Sequence, residues 1–245
     1  MQSKIDIHVL VEDLLRGLKG VFVEKMVAVY FYGAALLPDS LLSGDIDFHV
    51  IVKTKLSKKE IVAINSLYSR LKNIYAAVLP DLDFDGYYIL LQSAKMSEPP
   101  VHLLDPKMSD EAWALHRAHI LAGQCLVAYG PDPETILMPP DWTELETALL
   151  SELKYVEKNL TKYPDYCILN LCRIMFSIHT REVVVSKAEA AKWAWDSFPV
   201  WRKHIDYAKK SYSGNASSVE KRFMAYEVKK LYKFASWHIE KDRSS

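Results

Sequence analysis

Up to about residue 135 the spacing of apolar positions switches repeatedly between two periods; from about residue 141 onward it holds to one. Ile5–Leu18 repeats apolar residues every three or four positions, which predicts a helix. Val27–Tyr32 (VAVYFY) is β-branched and aromatic, stops at Gly33, and predicts a buried strand. Asp45–Val52 (DIDFHVIV) predicts a second strand and Phe84–Leu91 a third, with Asp83 and Asp85 at its start. Helical spacing returns over Leu56–Tyr75 and Asp110–Gly123, and Gln124–Tyr129 reads as a short strand. Pro131, Pro133, Pro139 and Pro140 then punctuate the chain. Proline lacks an amide hydrogen and fixes φ, so this cluster continues neither a helix nor a central strand. The boundary is placed there. Residues 1–135 are expected to form an α/β domain, a small mixed sheet flanked by helices, and residues 141–245 an all-α helical bundle. Within the second region helices are predicted at 142–159, 165–180, 186–196, 199–212 and 217–239. Ser186 and Glu189 have the spacing of a capping box.

Composition removes several classes. The chain has 245 residues, with 31 Lys and Arg against 31 Asp and Glu. The signs cancel, so no fixed positive field exists to hold a nucleic-acid backbone. Half of the residues are hydrophobic, too many for a disordered chain. No stretch approaches the ~20 apolar residues that a membrane span requires. The first twenty residues carry acids inside their apolar part, unlike a secretory signal. Cys125, Cys167 and Cys172 are odd in number and lack CxxC spacing, which points to reduced, mostly buried thiols in a cytoplasmic protein.

Chemistry concentrates in residues 31–53, FYGAALLPDSLLSGDIDFHVIVK. Gly33 ends one strand, and twelve residues later Asp45-Ile46-Asp47 opens the next. Side chains alternate along a strand, so Asp45 and Asp47 share a face. Two carboxylates there repel each other and prefer water, and a hard divalent cation relieves both problems. If the third strand lies beside the second, Asp85 or Asp83 can join them, giving a two-metal site for phosphoryl or nucleotidyl transfer. An Asp-x-Asp alone is common at strand ends; a glycine turn, the acid pair and a third acid on the next strand are more restrictive. His49 shares the face but reads as a core or supporting histidine, because Mg²⁺ favours oxygen.

These residues resemble the nucleotidyltransferase superfamily, and more closely the aminoglycoside adenylyltransferases that modify streptomycin and spectinomycin. That family has a strand, a Gly-Ser loop, an Asp-x-Asp strand, a third acid on a following strand and a helical second domain. By the resemblance Gly33 is the loop glycine, Asp45 and Asp47 hold metal, and Asp85 completes the metal set and acts as the catalytic base, with Asp83 as fallback. Residues 169–195 (LNLCRIMFSIHTREVVVSKAEAAKWAW) resemble the family's helix-loop-helix, which implies that Arg173 and Lys187 contact the nucleotide phosphates. Tyr212 falls where the family has a nucleotide-contacting tyrosine. The likeness covers about residues 27 to 212. It implies ATP as substrate, two Mg²⁺ ions, and transfer of AMP to a hydroxyl of a small cationic acceptor, an aminoglycoside or aminocyclitol. The site is expected in the cleft between the domains, in a monomer with no nucleic-acid or membrane partner.

Three departures stand out. Ala34 replaces the serine after the glycine, and Gly44 replaces the residue before the first aspartate, commonly serine. Ser43, Gly44 and backbone amides remain to hold phosphate, although each lost hydroxyl bond to a charged group costs ~1.5–3 kcal/mol if nothing replaces it. The acceptor segment NLTKYPDYCILNL offers only Asp165, out of step with the family's acids, with Glu157 further upstream. Trp113 is a candidate to stack on an acceptor ring, against a packing role. Rival readings are a protein or nucleotide acceptor, or a degenerate homologue that binds nucleotide without catalysis.

Overall fold

The period-two segments of the first region pair into one four-stranded sheet. The computed structural model describes residues 7–33 and 45–244, so Ala34, Ser43 and Gly44 lie outside the described residues. The chain divides into two compact units, Met1–Pro140 and Asp141–Ser245. In the first, α1 (Ile7–Phe22) precedes β1 (Met26–Tyr32), β2 (Asp45–Val52), α2 (Lys58–Tyr75), β3 (Asp83–Leu90), α3 (Leu91–Ala94), α4 (Trp113–Leu121) and β4 (Cys125–Tyr129). The strand order is β3-β2-β1-β4. β1 runs antiparallel to both β2 and β4, whereas β2 and β3 are parallel and joined through α2. The expected mixed sheet flanked by helices is therefore present.

Each face of the sheet has its own core. Val29, Phe31, Phe48, Val50 and Tyr88 point to one side and pack with Leu10, Leu14, Leu18 and Phe22 of α1 and Ile64, Leu67 and Leu71 of α2. The four α1 residues repeat at i+4, which explains why that helix continues past Leu18 to Phe22. The other face buries Ala28, Tyr30, Tyr32, Ile51 and Ile89 with Trp113 and Ile120 of α4. α4 is shorter than its periodicity suggests. Asp110 is held in a turn by its amide bond to the Pro100 carbonyl at 3.0 Å, and the Trp113 amide bonds back to the Asp110 carbonyl at 2.9 Å.

The second unit is helical: α5 (Trp142–Asn159), α6 (Pro164–Thr180), α7 (Lys187–Ser197), α8 (Arg202–Tyr212) and α9 (Ser218–Arg243). α6 is the central helix. It buries Cys167, Ile168, Leu169, Leu171, Cys172, Ile174, Met175 and Ile178 and touches α5, α7, α8 and α9. Burial pushes the Cys167 and Cys172 thiols up to about 12, so both stay protonated, and all three cysteines are free. The capping box at Ser186 forms with Glu189. The helix predicted over 199–212 opens as a 3₁₀ turn at Pro199–Trp201 before α8, since proline has no amide to donate. None of the described helices is long and apolar enough to cross a membrane.

Candidate active site

The acids are placed by sheet register. In the parallel ladder Asp45 stands opposite Asp83 and Asp47 opposite Asp85, so all four project on the face that also carries His49 and Tyr87. Asp45, Asp83 and Asp85 are exposed, Asp47 is half-buried, and the next residues inward are buried. Asp83 accepts from Lys72 Nζ at 2.7 Å and from the Phe84 amide at 3.0 Å. That salt bridge engages Asp83 elsewhere and leaves Asp85 as the acid opposite Asp47.

Gly33 adjoins this edge. Its φ is +83°, where L residues are strained, and a Cβ there would lie 2.1 Å from Asp47 Oδ2. The backbone can approach the carboxylate only because the residue is glycine. Tyr32, the residue before it, pairs with Asp47 across the β1–β2 ladder. Burial raises the Tyr32 phenol well above its usual range, and the charges of Asp110, Asp47 and Asp85 add to the effect. The negative field of the acids thus converges where the strands end. An all-oxygen donor set suits a hard cation such as Mg²⁺. Among the described residues, however, the one group of three potential ligands with donor atoms all within 4.8 Å is His49, Asp110 and His116, not the three aspartates.

The second unit gathers its candidate residues by side-chain contact. Lys187 begins α7, and its Nζ sits 4.5 Å from the Tyr166 ring centre and 5.1 Å from that of Tyr212. Tyr166, Asn170 and Arg173 follow one stripe of α6 at i, i+4, i+7. Asn170 Nδ2 donates to Glu152 Oε2 at 2.9 Å and to Tyr166 Oη at 3.4 Å, and Arg173 lies 3.9 Å from the same Glu152 oxygen. Asp165 accepts from Ser211 Oγ at 2.6 Å, next to Tyr212 in sequence. Burial raises the Tyr166 phenol, so it stays neutral beside the ammonium. Arg173, Lys187 and Tyr212 therefore belong to one connected group through Glu152, Asn170 and Tyr166, and Asp165 joins the helix that carries Tyr212 through Ser211.

Sequence reasoning passed over Tyr166, Glu152, Asn170 and Ser211 here, and Tyr32, Asp110 and His116 in the first unit. The polar stripe at 166, 170 and 173 on an otherwise apolar helix is the signal that could have found the first group. Two candidates fall elsewhere. Trp113 is 1% exposed and donates its indole N–H to the Met96 carbonyl at 3.1 Å, so it packs rather than stacks on a ligand. Glu157 is exposed and interacts with Tyr232 of α9, away from the Arg173 group. The half-buried Glu152 is the acid that joins that group.

The chain thus joins a parallel β2–β3 pair edged with acids to a helical unit. Residues 135–237 match the aminoglycoside adenylyltransferase, C-terminal domain family. The fold is similar to that of the spectinomycin adenyltransferase AAD(9) from Enterococcus faecialis, whose structure contains ATP and spectinomycin. The TM-score is 0.72 at 15% identity, over 91% of this chain and 99% of that one. No curated protein matches the sequence. The family model thus matches most of the helical region, and the fold is shared along most of the chain.

Proposed function

We propose that the protein transfers AMP from ATP to a hydroxyl of an aminoglycoside or aminocyclitol, releasing pyrophosphate. The observation that carries this reading is the register of β2 and β3, which sets Asp85 opposite Asp47 beside the close approach of Gly33. The family match of the helical region and the likeness to a protein solved with ATP and spectinomycin support this choice of donor and acceptor.

Asp45, Asp47 and Asp85 would hold two Mg²⁺ ions. Bound there, the ions would offset the triphosphate charge and polarise the reacting phosphorus. Asp85 accepts the acceptor hydroxyl proton as the new bond to phosphorus forms. Arg173 and Lys187 contact the phosphates and stabilise the charge that develops on the leaving pyrophosphate. Tyr166 and Tyr212 hold the Lys187 ammonium in place by cation–π contact, and Tyr212 flanks the nucleotide. Asp165 pairs with an ammonium group of the acceptor. Gly33, with Ser43 and Gly44, supplies backbone contacts to phosphate. The chain works as a monomer in the cytoplasm, where ATP is available.

The test is a panel of aminoglycosides and aminocyclitols incubated with the protein, ATP and Mg²⁺ and followed by mass spectrometry. One added AMP on at least one member, with pyrophosphate released, supports the reading. No adduct on any member overturns the acceptor assignment, and a labelled lysate then asks for a protein or nucleotide acceptor.

A further inference from the structure

A second polar cluster lies deeper on the face that carries the acids. His49 is two residues inward from Asp47 on β2, Asp110 is in the turn before α4, and His116 is on α4. His49 Nε2 lies 3.1 Å and His116 Nδ1 2.9 Å from the same atom, Asp110 Oδ2. The three donor atoms are all within 4.8 Å of one another. His49 and Asp110 are buried, whereas the His116 side chain is 28% exposed, which gives the cluster a route to solvent. Tyr32 stacks on His49 with ring centres 4.9 Å apart, and its Oη lies 3.5 Å from His116 Nδ1.

Donor chemistry and charge both point to a cation. Two imidazole nitrogens and a carboxylate oxygen are a poor set for Mg²⁺ and a good one for Zn²⁺ and its neighbours. With metal–ligand distances of ~2.0–2.2 Å, tetrahedral donors lie about 3.3–3.6 Å apart, a few tenths of an ångström wider than the 3.1 and 2.9 Å spacings to Asp110 Oδ2. Asp110 adds a third carboxylate to the sheet face that carries Asp47 and Asp85, which concentrates negative charge on that side. A divalent cation would offset that charge.

We propose that His49 Nε2, Asp110 Oδ2 and His116 Nδ1 bind one divalent transition-metal ion of the zinc class, at a site chemically distinct from the all-oxygen acids. The ion ties β2 to α4 and fixes Tyr32, the ladder partner of Asp47. The proposal does not rest on adenylyl transfer.

The test uses the full chain, stripped with a chelator and then equilibrated with Zn²⁺ or Co²⁺ in millimolar Mg²⁺. The expected result is one retained equivalent, visible d–d absorption with Co²⁺, and a higher thermal midpoint with Zn²⁺. His116→Gln keeps an N–H for Asp110 but loses the imidazole. It should stay folded and lose Zn²⁺ affinity by at least about 100-fold. Asp85→Asn should keep its equivalent. If His116→Gln fails to fold, His49→Gln replaces it in the same measurement. The proposal is overturned if the wild type retains no metal under Mg²⁺, if the histidine variants bind as tightly as the wild type, or if Asp85→Asn loses the ion. A binding result leaves the transfer reading to its own assay, so the two can fail separately.

Discussion

The acids of the first unit and the cations of the second are positioned by different physics. Asp47 and Asp85 have short side chains, and their placement follows from backbone register: once β2 and β3 pair in parallel, the two must stand opposite. Lys187 and Arg173 have long side chains with several free torsions, so register fixes little. Their placement depends on Tyr166, Tyr212 and Glu152, and on the cap that starts α7. The acidic edge should therefore respond to change as a switch, and the cationic group in graded steps.

The largest effect tests the switch. Asp47→Asn and Asp85→Asn keep size and ladder but remove a charge from an oxygen donor set. Each should lower AMP transfer by about 10³-fold, the upper end of the loss from deleting one stabilising group in an active site. Circular dichroism should be unchanged. Asp83→Asn should cost far less, since that acid is engaged by Lys72 at the exposed end of the strand. If Asp83→Asn proves as damaging as Asp85→Asn, the assignment of Asp85 is wrong.

Gly33→Ala comes next, because it strains the same edge through the backbone. The left-handed φ costs an L residue ~1–2 kcal/mol, and the new methyl would collide with the Asp47 carboxylate. Displacing a metal-binding carboxylate by about 1 Å can cost ~10²-fold in rate. Thermal unfolding and turnover, measured together, should both fall. Lower stability with unchanged turnover would mean that Asp47 does not depend on this close approach.

The cationic group should give smaller, graded losses. Lys187→Met or Arg173→Gln removes one charge-assisted contact, ~1.5–3 kcal/mol, or roughly 10–100-fold in ATP affinity. Calorimetry with a non-hydrolysable ATP analogue and Mg²⁺ measures it. Tyr166→Leu removes one ring from under the ammonium. At ~0.5–1 kcal/mol for an exposed cation–π contact it should weaken binding only two- to fivefold. If Tyr166→Leu matches Lys187→Met, the tyrosine itself contacts nucleotide.

The same contrast explains how much was legible in the sequence. Alternation along DIDFHVIV and DFDGYYIL put the acids on one strand face, because period two is a local property. That β2 and β3 run in parallel is not local, yet it decides that Asp85 meets Asp47. Asp110 and His116 lie 61 and 67 positions beyond His49 and meet it only through packing of α4 on the sheet. No spacing rule spans that gap. In the helical unit, the capping box at Ser186 was readable from the spacing of Ser186 and Glu189. The tyrosines around Lys187 were not, since they come from two other helices, α6 and α8.

The smallest predicted effect links a cap to a cation. Ser186 Oγ accepts from the Glu189 amide at 3.1 Å, and Glu189 Oε2 accepts from the Ser186 amide at 3.0 Å. Lys187 is the first residue of the helix so capped. Ser186→Ala should cost ~1 kcal/mol of stability, read as a lower denaturation midpoint, with a small loss of ATP affinity as the first turn frays. Ser186→Asp, another capping residue, should restore both. The bonds from the Ser186 amide and hydroxyl lower the Glu189 pKa from its usual 4.5. A lowered carboxyl pKa stabilises the folded state above the ordinary value, and that contribution fades as pH falls through the lowered one. Denaturation midpoints taken from pH 6 down to 3 should therefore converge between wild type and Ser186→Ala. A constant gap would mean that the serine acts without Glu189, and that the start of α7 is held by packing of Ala190 and Ala191 rather than by its cap.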